Sequence, residues 1–203
     1  NSGCLSRQVG AAVTNQYGSL VSIGWNSVAE GQTPCLLRNK HELISVTRST
    51  SYSDFEKSDE FIEMLKKHTS SLNEGSQVST GLNHSFCFKS VYNKHLKDKN
   101  QVHTRSLHAE ENAFLQIAKY GGESIRGGTL YTTASPCELC SKKAYQLGIK
   151  RVVYVDPYPG IAKKQILNSG LNRPEMVLFR GAIGSAYHRM YEQIIPYKDE
   201  LDA

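Results

Sequence analysis

Leu107-His108-Ala109-Glu110-Glu111-Asn112 is answered, 29 residues after its histidine, by Ser135-Pro136-Cys137-Glu138-Leu139-Cys140. One imidazole and two thiolates make three zinc ligands, and three protein ligands with an open fourth position suit a zinc that binds and activates water. Glu110 stands two residues from the histidine and is not needed as a ligand, which leaves its carboxylate free to act as a general acid/base. A lone C-x-x-C also serves redox sites and structural zinc, and a lone histidine is commonly a hydrogen-bonded core residue. The spacing, the glutamate and the proline before the first cysteine together favour the catalytic reading.

Local patterning places both ligand groups at helix starts. Residues 110–119 are good helix formers with acidic residues first, ending before Gly121-Gly122, and a second helical run from Pro136 to Leu147 is closed by Gly148. At a helix N-terminus the peptide dipoles favour thiolate over thiol.

Outward from this centre, Gln8 to Thr14 and Leu20 to Trp25 are two apolar runs joined by Asn15-Gln16-Tyr17-Gly18-Ser19, which predicts a hairpin. Residues 128–133 and 151–155 read as strands, the latter apolar enough to be covered on both faces, and Met176 to Phe179 as a further strand. Ile161 to Leu167 is expected to be a helix ending at Gly170. Strands alternating with helices give an α/β layered architecture.

In the segment 41–100, Ser53-Asp54 is expected to cap a helix from Phe55 to His68, and a second helix is expected from Phe86 to Lys97. Residues 70–81 have the composition of a mobile loop. The Lys94 to Lys99 stretch reads as a solvated surface, or as a contact for a nucleotide or RNA.

Length and composition set the bounds. The 203 residues suit one ordinary domain with a real core, and 24 basic against 19 acidic residues give a net charge of +5, compatible with a phosphate-bearing ligand and equally with a solvated surface. Five cysteines, an odd number with two in a metal motif, argue for a reducing compartment rather than a disulfide framework. No apolar run approaches the roughly 20 residues of a membrane span, so the sequence reads as soluble and cytoplasmic.

The H-x-E with P-C-x-x-C pattern resembles the zinc-dependent cytidine/deoxycytidylate deaminase family. That resemblance implies a three-layer α/β fold with a central mixed five-stranded sheet flanked by helices, a Zn(II) held by His108, Cys137 and Cys140, and Glu110 as the catalytic proton carrier. Gly24-Trp25-Asn26 is similar to the family's G-[YW]-N signature, which makes Asn26 a sugar contact, a turn-capping asparagine being the alternative. The resemblance also points to Ala109 and Ser135 as substrate-binding, to Tyr158 as the aromatic that packs on the pyrimidine, a structural turn tyrosine being the alternative, and to Arg7 as a phosphate ligand, with a plain surface arginine the alternative. Cys4 and Cys35 lie where phage-type relatives have cysteines. They are either free thiols or, with His95 and His103, ligands of a second, structural metal.

The family carries a helix before its first strand, so the sequence is expected to begin late, with an upstream segment in the longer protein. The segment 41–100 and the extension 181–203 resemble the deaminase domain of bacterial antiphage deoxycytidine nucleotide deaminases. These imply an upstream P-loop kinase-like domain, dCMP or dCTP as substrate, nucleotide depletion in defence, a homo-oligomer and a regulatory nucleotide or RNA. Two other readings remain at this point: deamination of adenosine in tRNA, whose enzymes share both motifs, and a zinc-stabilised module without activity.

Overall fold

In chain order the computed structural model consists of β1 (Gly10–Thr14), β2 (Leu20–Trp25), the two-residue β3 (Ser27–Val28), α1 (Lys40–Ser45), α2 (Asp59–His68), α3 (Phe88–Leu96), the two-residue β4 (Ser106–Leu107), α4 (Ala109–Tyr120), β5 (Thr129–Ala134), α5 (Glu138–Gln146), β6 (Arg151–Asp156) and β7 (Glu175–Leu178). The structure describes residues 2–45, 49–68 and 83–181. The expected loop over 70–81 and all but the first residue of the extension 181–203 lie outside them. The described residues divide into two compact units: one holds Ser2, Gln8–Ser27 and residues 107–181, the other holds Gly3–Arg7 and Val28–Ser106.

The first unit is built on a mixed sheet of five strands in the order β2-β1-β5-β6-β7, flanked by helices. The hairpin forms where the sequence predicts it. Asn15 Oδ1 accepts the N–H groups of Tyr17 and Ser19, both at 3.0 Å, and Gly18 takes the left-handed backbone, φ 85°, that the tight reversal requires. β1 pairs antiparallel with β2 and with β5, while β5–β6 and β6–β7 are parallel. Four strands, β2, β5, β6 and β7, therefore run the same way. Their carboxyl ends at Trp25, Ala134, Asp156 and Leu178 gather at one edge, the place where open α/β sheets put their ligand sites.

One face of the sheet carries Ala11, Val13, Leu130 and Val152, which pack with Ala109, Ala113 and Phe114 of α4 and Ala144 of α5 into the core. α4 approaches β2 so closely that a Cβ on Gly24 would lie 2.4 Å from the Ala109 oxygen and 2.4 Å from the Ala113 nitrogen, so only glycine fits there. The opposite face presents a row one residue deep from each strand, Ile23, Ala12, Tyr131, Val153 and Val177. This face holds a shallow apolar depression of about 390 Å³ lined by Ala12, Tyr131, Val153 and Phe179. β6 consequently departs from the expectation of burial on both faces: Val152 is fully buried, whereas Val153 and Val155 are only half-buried beside the exposed Tyr131.

The expected helix over 161–167 shrinks to one wide turn, Lys163–Leu167, in which Asn168 N–H reaches back five residues to Lys163 O at 2.9 Å. No side chain caps its start, and Gly170 at φ 77° ends the run three residues later.

The second unit packs α1, α2 and α3 around Leu43, Tyr52, Phe61, Met64, Leu65, Phe86 and Val91. Phe61 and Phe88 stack with centroids 5.1 Å apart. Buried among these rings is an ionic cluster. Glu56 pairs with Arg38 and accepts from Arg105 Nη1 at 2.6 Å and Ser53 N–H at 2.9 Å, while the Arg38 guanidinium sits 4.6 Å over Phe86. A buried carboxylate needs such partners. That demand on Glu56 also corrects the expected start of α2. Ser53 and Glu56 close a separate turn on each other, and the helix begins at Asp59 with the Ser58 hydroxyl accepting Phe61 N–H at 3.3 Å. α3 spans Phe88–Leu96 rather than 86–97, stopped by Lys97 in the left-handed conformation, φ 54°. Among the described residues no helix is long and apolar enough to cross a membrane.

Candidate metal centre and active site

His108 is the residue that precedes α4, with extended backbone (φ −70°, ψ 155°), and Cys137 stands in the same position before α5 (φ −69°, ψ 176°). Cys140 falls in the first turn of α5, so both helices direct their positive ends at the three donor atoms. The ligand loop follows β5, where Ser135 N–H donates to Asp156 O at 2.8 Å and fixes the exit of the chain.

The donors converge. Cys137 Sγ lies 3.3 Å and Cys140 Sγ 3.5 Å from His108 Nδ1, and all three ligand atoms lie within 4.8 Å of one another. A tetrahedral zinc with Zn–S of about 2.3 Å and Zn–N of about 2.0 Å needs nitrogen and sulfur about 3.5 Å apart, so the group fits that ion. The charge distribution agrees. The Cys137 thiol is drawn down to about 4 by its hydrogen bond with Cys140, aided by His108, while the same bond and burial push Cys140 up. His108 is held above the usual imidazole range by its bond to Cys137. Zinc needs both sulfurs as thiolates and the imidazole neutral, so metal and protons compete for these three atoms.

Glu110, in the first turn of α4, is buried at 4% exposure. Burial pushes its carboxyl above the ordinary carboxylate range, opposed by its own backbone N–H and by the neighbouring His108. In the first turn of the helix that His108 precedes, Glu110 stands near the ligands without belonging to their group, as a proton carrier requires. Glu111, pointing the other way, pairs with Lys143 of α5 and ties the two ligand helices together.

Around the edge the structure adds Asn112 and Glu138, which motif reading missed, and gives the expected Ser135 and Tyr158 a shared hydrogen bond. Asn112 Nδ2 donates to Trp25 O at 3.0 Å while Asn112 N–H donates to His108 O at 2.8 Å, which binds the end of β2 to the first ligand turn. Ser135 Oγ accepts Tyr158 N–H at 2.7 Å and Glu138 Oε1 accepts Ile161 N–H at 2.9 Å, so the loop after β6 is pinned at two points to the ligand segment. A carboxylate inside the C-x-x-C was the available signal for Glu138.

The other expected site residues divide. Asn26, buried at 8%, follows directly on Trp25, and Tyr158 is half-buried on the pinned loop, so both lie at the ligand edge of the sheet. Ala109 has its methyl in the core, which leaves only its backbone for a ligand. Arg7 is exposed in the Gly3–Arg7 segment of the other unit. The structure does not assemble Cys4, Cys35, His95 and His103 into a second metal centre. His95 packs edge-on against His68, His103 against Tyr92 at 4.8 Å, and Cys35 is a buried thiol beside Cys87, raised by burial and 3.9 Å from Arg38 Nη1. His108, Cys137 and Cys140 form the one metal-competent group among the described residues.

Residues 69–156 match the cytidine and deoxycytidylate deaminase zinc-binding region. The deoxycytidylate deaminases of Enterobacteria phages T2 and T4 are each 32% identical over 167 residues, an alignment that covers 77% of this chain and 73% and 71% of theirs. The dCMP deaminase of cyanophage S-TIM5, solved in complex with dCMP and dUMP, is 22% identical with a TM-score of 0.47, covering 87% of this chain and 84% of that one. The spacing of the ligands, their convergence and the two 32% identical phage enzymes lead to one statement: this chain belongs to the cytidine and deoxycytidylate deaminase family and is a zinc-dependent deaminase.

Proposed function

We propose that the chain hydrolyses dCMP to dUMP and ammonia. The observation that carries this is the buried Glu110 carboxyl in the first turn of the helix that His108 precedes, next to the converging nitrogen–sulfur–sulfur group, within a family whose phage relatives bear the name deoxycytidylate deaminase. Zinc held by His108, Cys137 and Cys140 supplies the acidity that makes water a nucleophile at neutral pH. Glu110 accepts the proton of the attacking water, delivers it to N3 of the cytosine ring as C4 becomes tetrahedral, and assists the departure of ammonia. Its burial suits the first half of the task, since desolvation strengthens the hold of a carboxylate on the proton it has to take. Asn26 meets the sugar hydroxyl and Tyr158 packs on the pyrimidine.

The same chemistry extends to dCTP, where turnover would deplete a replication precursor, the setting of antiphage defence. A panel of CMP, dCMP, CTP, dCTP and a tRNA anticodon stem-loop, with ammonia release as readout, tests the reading. Turnover of dCMP is expected. Activity confined to the stem-loop would assign the chain to adenosine deamination, and zinc-loaded protein inert on every cytosine nucleotide would refute the proposal.

A further inference from the structure

The segment that follows β6 is Pro157-Tyr158-Pro159-Gly160-Ile161. Its two prolines have no N–H, so the backbone donors of this stretch are those of Tyr158, Gly160 and Ile161. Two of the three donate to side chains of the segment that carries the sulfur ligands: Tyr158 N–H to Ser135 Oγ at 2.7 Å and Ile161 N–H to Glu138 Oε1 at 2.9 Å. Glu138 lies in the first turn of α5, between Cys137 and Cys140, where a carboxylate is ordinarily stabilised by the N–H groups of its own helix. Here its Oε1 accepts an amide 23 residues further along the chain. Gly160 packs against the same atom. A Cβ at that position would lie 2.8 Å from Glu138 Oε1, so a side chain there would push the carboxylate off the Ile161 amide.

We infer that Glu138 is a positioning residue: standing between the two sulfur ligands, it holds the loop 157–161 to the turn that carries them, so that one helix turn sets both the metal centre and the loop on which Tyr158 meets the base. The inference rests on the reading of Tyr158 as the base contact. Glu138 is outside the metal-competent group and acts through Ile161 N–H. The prolines on either side of Tyr158 restrict the backbone there, and a loop so stiffened is fixed by its anchors at 158 and 161. Loss of the second anchor frees the far end of the loop while the Ser135 contact stays, so substrate binding weakens before the metal centre is disturbed.

The test measures zinc content, hydrogen exchange at the Ile161 amide, and kcat and KM for dCMP in the zinc-loaded chain and in Glu138→Ala, Glu138→Gln, Gly160→Ala, Tyr158→Ala and the double variant Glu138→Ala/Gly160→Ala. Glu138→Ala is expected to raise KM about 3- to 10-fold, the loss of one hydrogen bond, and to speed exchange at Ile161 by a similar factor, with kcat and zinc content near those of the parent. Glu138→Gln keeps the accepting oxygen and should restore both quantities. Gly160→Ala should reproduce Glu138→Ala, and the double variant should be no worse than either single change, since both break the same contact. Unchanged exchange and KM in Glu138→Ala, effects that multiply in the double variant, a Gln variant as impaired as the Ala one, or loss of zinc from Glu138→Ala would each overturn the inference alone. If Tyr158→Ala leaves KM unchanged, the base-contact reading falls and the inference with it. A parent chain inert on dCMP would refute the proposed function, and exchange at Ile161 would still decide whether Glu138 holds the loop.

Discussion

In the proposed reaction Glu110 trades protons from inside the protein, and an amide in its place can neither take nor give one. Glu110→Gln, close to isosteric, is therefore expected to keep zinc at one per chain by metal analysis while kcat falls by about 10²- to 10⁴-fold. A variant that still turns over at a tenth of the parent rate would remove Glu110 from the mechanism. Gly24 is a second position where one atom decides the outcome. Its missing Cβ is what lets Ala109 and Ala113 of the ligand helix seat against β2, and both obstructing atoms are backbone, which cannot swing aside. Gly24→Ala should cost about 1–3 kcal/mol, the range for overpacking, and weaken zinc retention, measured by denaturant unfolding and by metal content after dialysis. Unchanged values in both would show that the helix has room to move.

Among the elements, the turn before α1 supplies a pH-dependent contribution. The Tyr52 hydroxyl donates to Asn39 O and Glu42 Oε2, each at 2.8 Å, and burial pushes it up to about 12 from an ordinary 10. The folded protein then keeps a proton that the unfolded chain has already released, so stability is complete below pH 10 and is lost as pH rises toward 12. In Tyr52→Phe the fall in stability between pH 10 and 12 should be shallower than in the parent. Parallel slopes would mean that Tyr52 does not contribute. Legibility in the sequence also varied by element. The hairpin, the two ligand helices and the parallel strands follow from local patterns, namely turn residues, caps and apolar runs. The metal ligands are legible because their spacing is fixed by the helices they begin. The partners of Asn112, Ser2 and Glu138 lie 87, 24 and 23 residues away, and no periodicity announces such contacts. Glu56 misled the reading of α2 for a related reason: its burial depends on Arg38 and Arg105, whose arrival in space leaves no mark on the residues near it.

For the molecule as a whole, the three zinc ligands all belong to one of two units that have separate apolar cores. Removing zinc with a chelator should leave the competing thiols and imidazole without their cation and loosen the first turns of α4 and α5. Hydrogen exchange should accelerate at the amides near Asn112 and Ser141, whose bonds to His108 O and Cys137 O are both 2.8 Å, while α2 and α3 keep their protection. A uniform loss of protection would show that the metal holds the whole chain rather than its own unit. The direction of the strands has a practical corollary at the far end of the sheet. The Asn15–Ser19 reversal sits at the opposite end of β2 from Trp25, a strand length of roughly 15–20 Å, and Tyr17 at its tip is 83% exposed. That tip is a natural handle: a fluorophore, a tether to a surface or an inserted peptide tag joined there would report on or immobilise a working catalyst without crowding its chemistry.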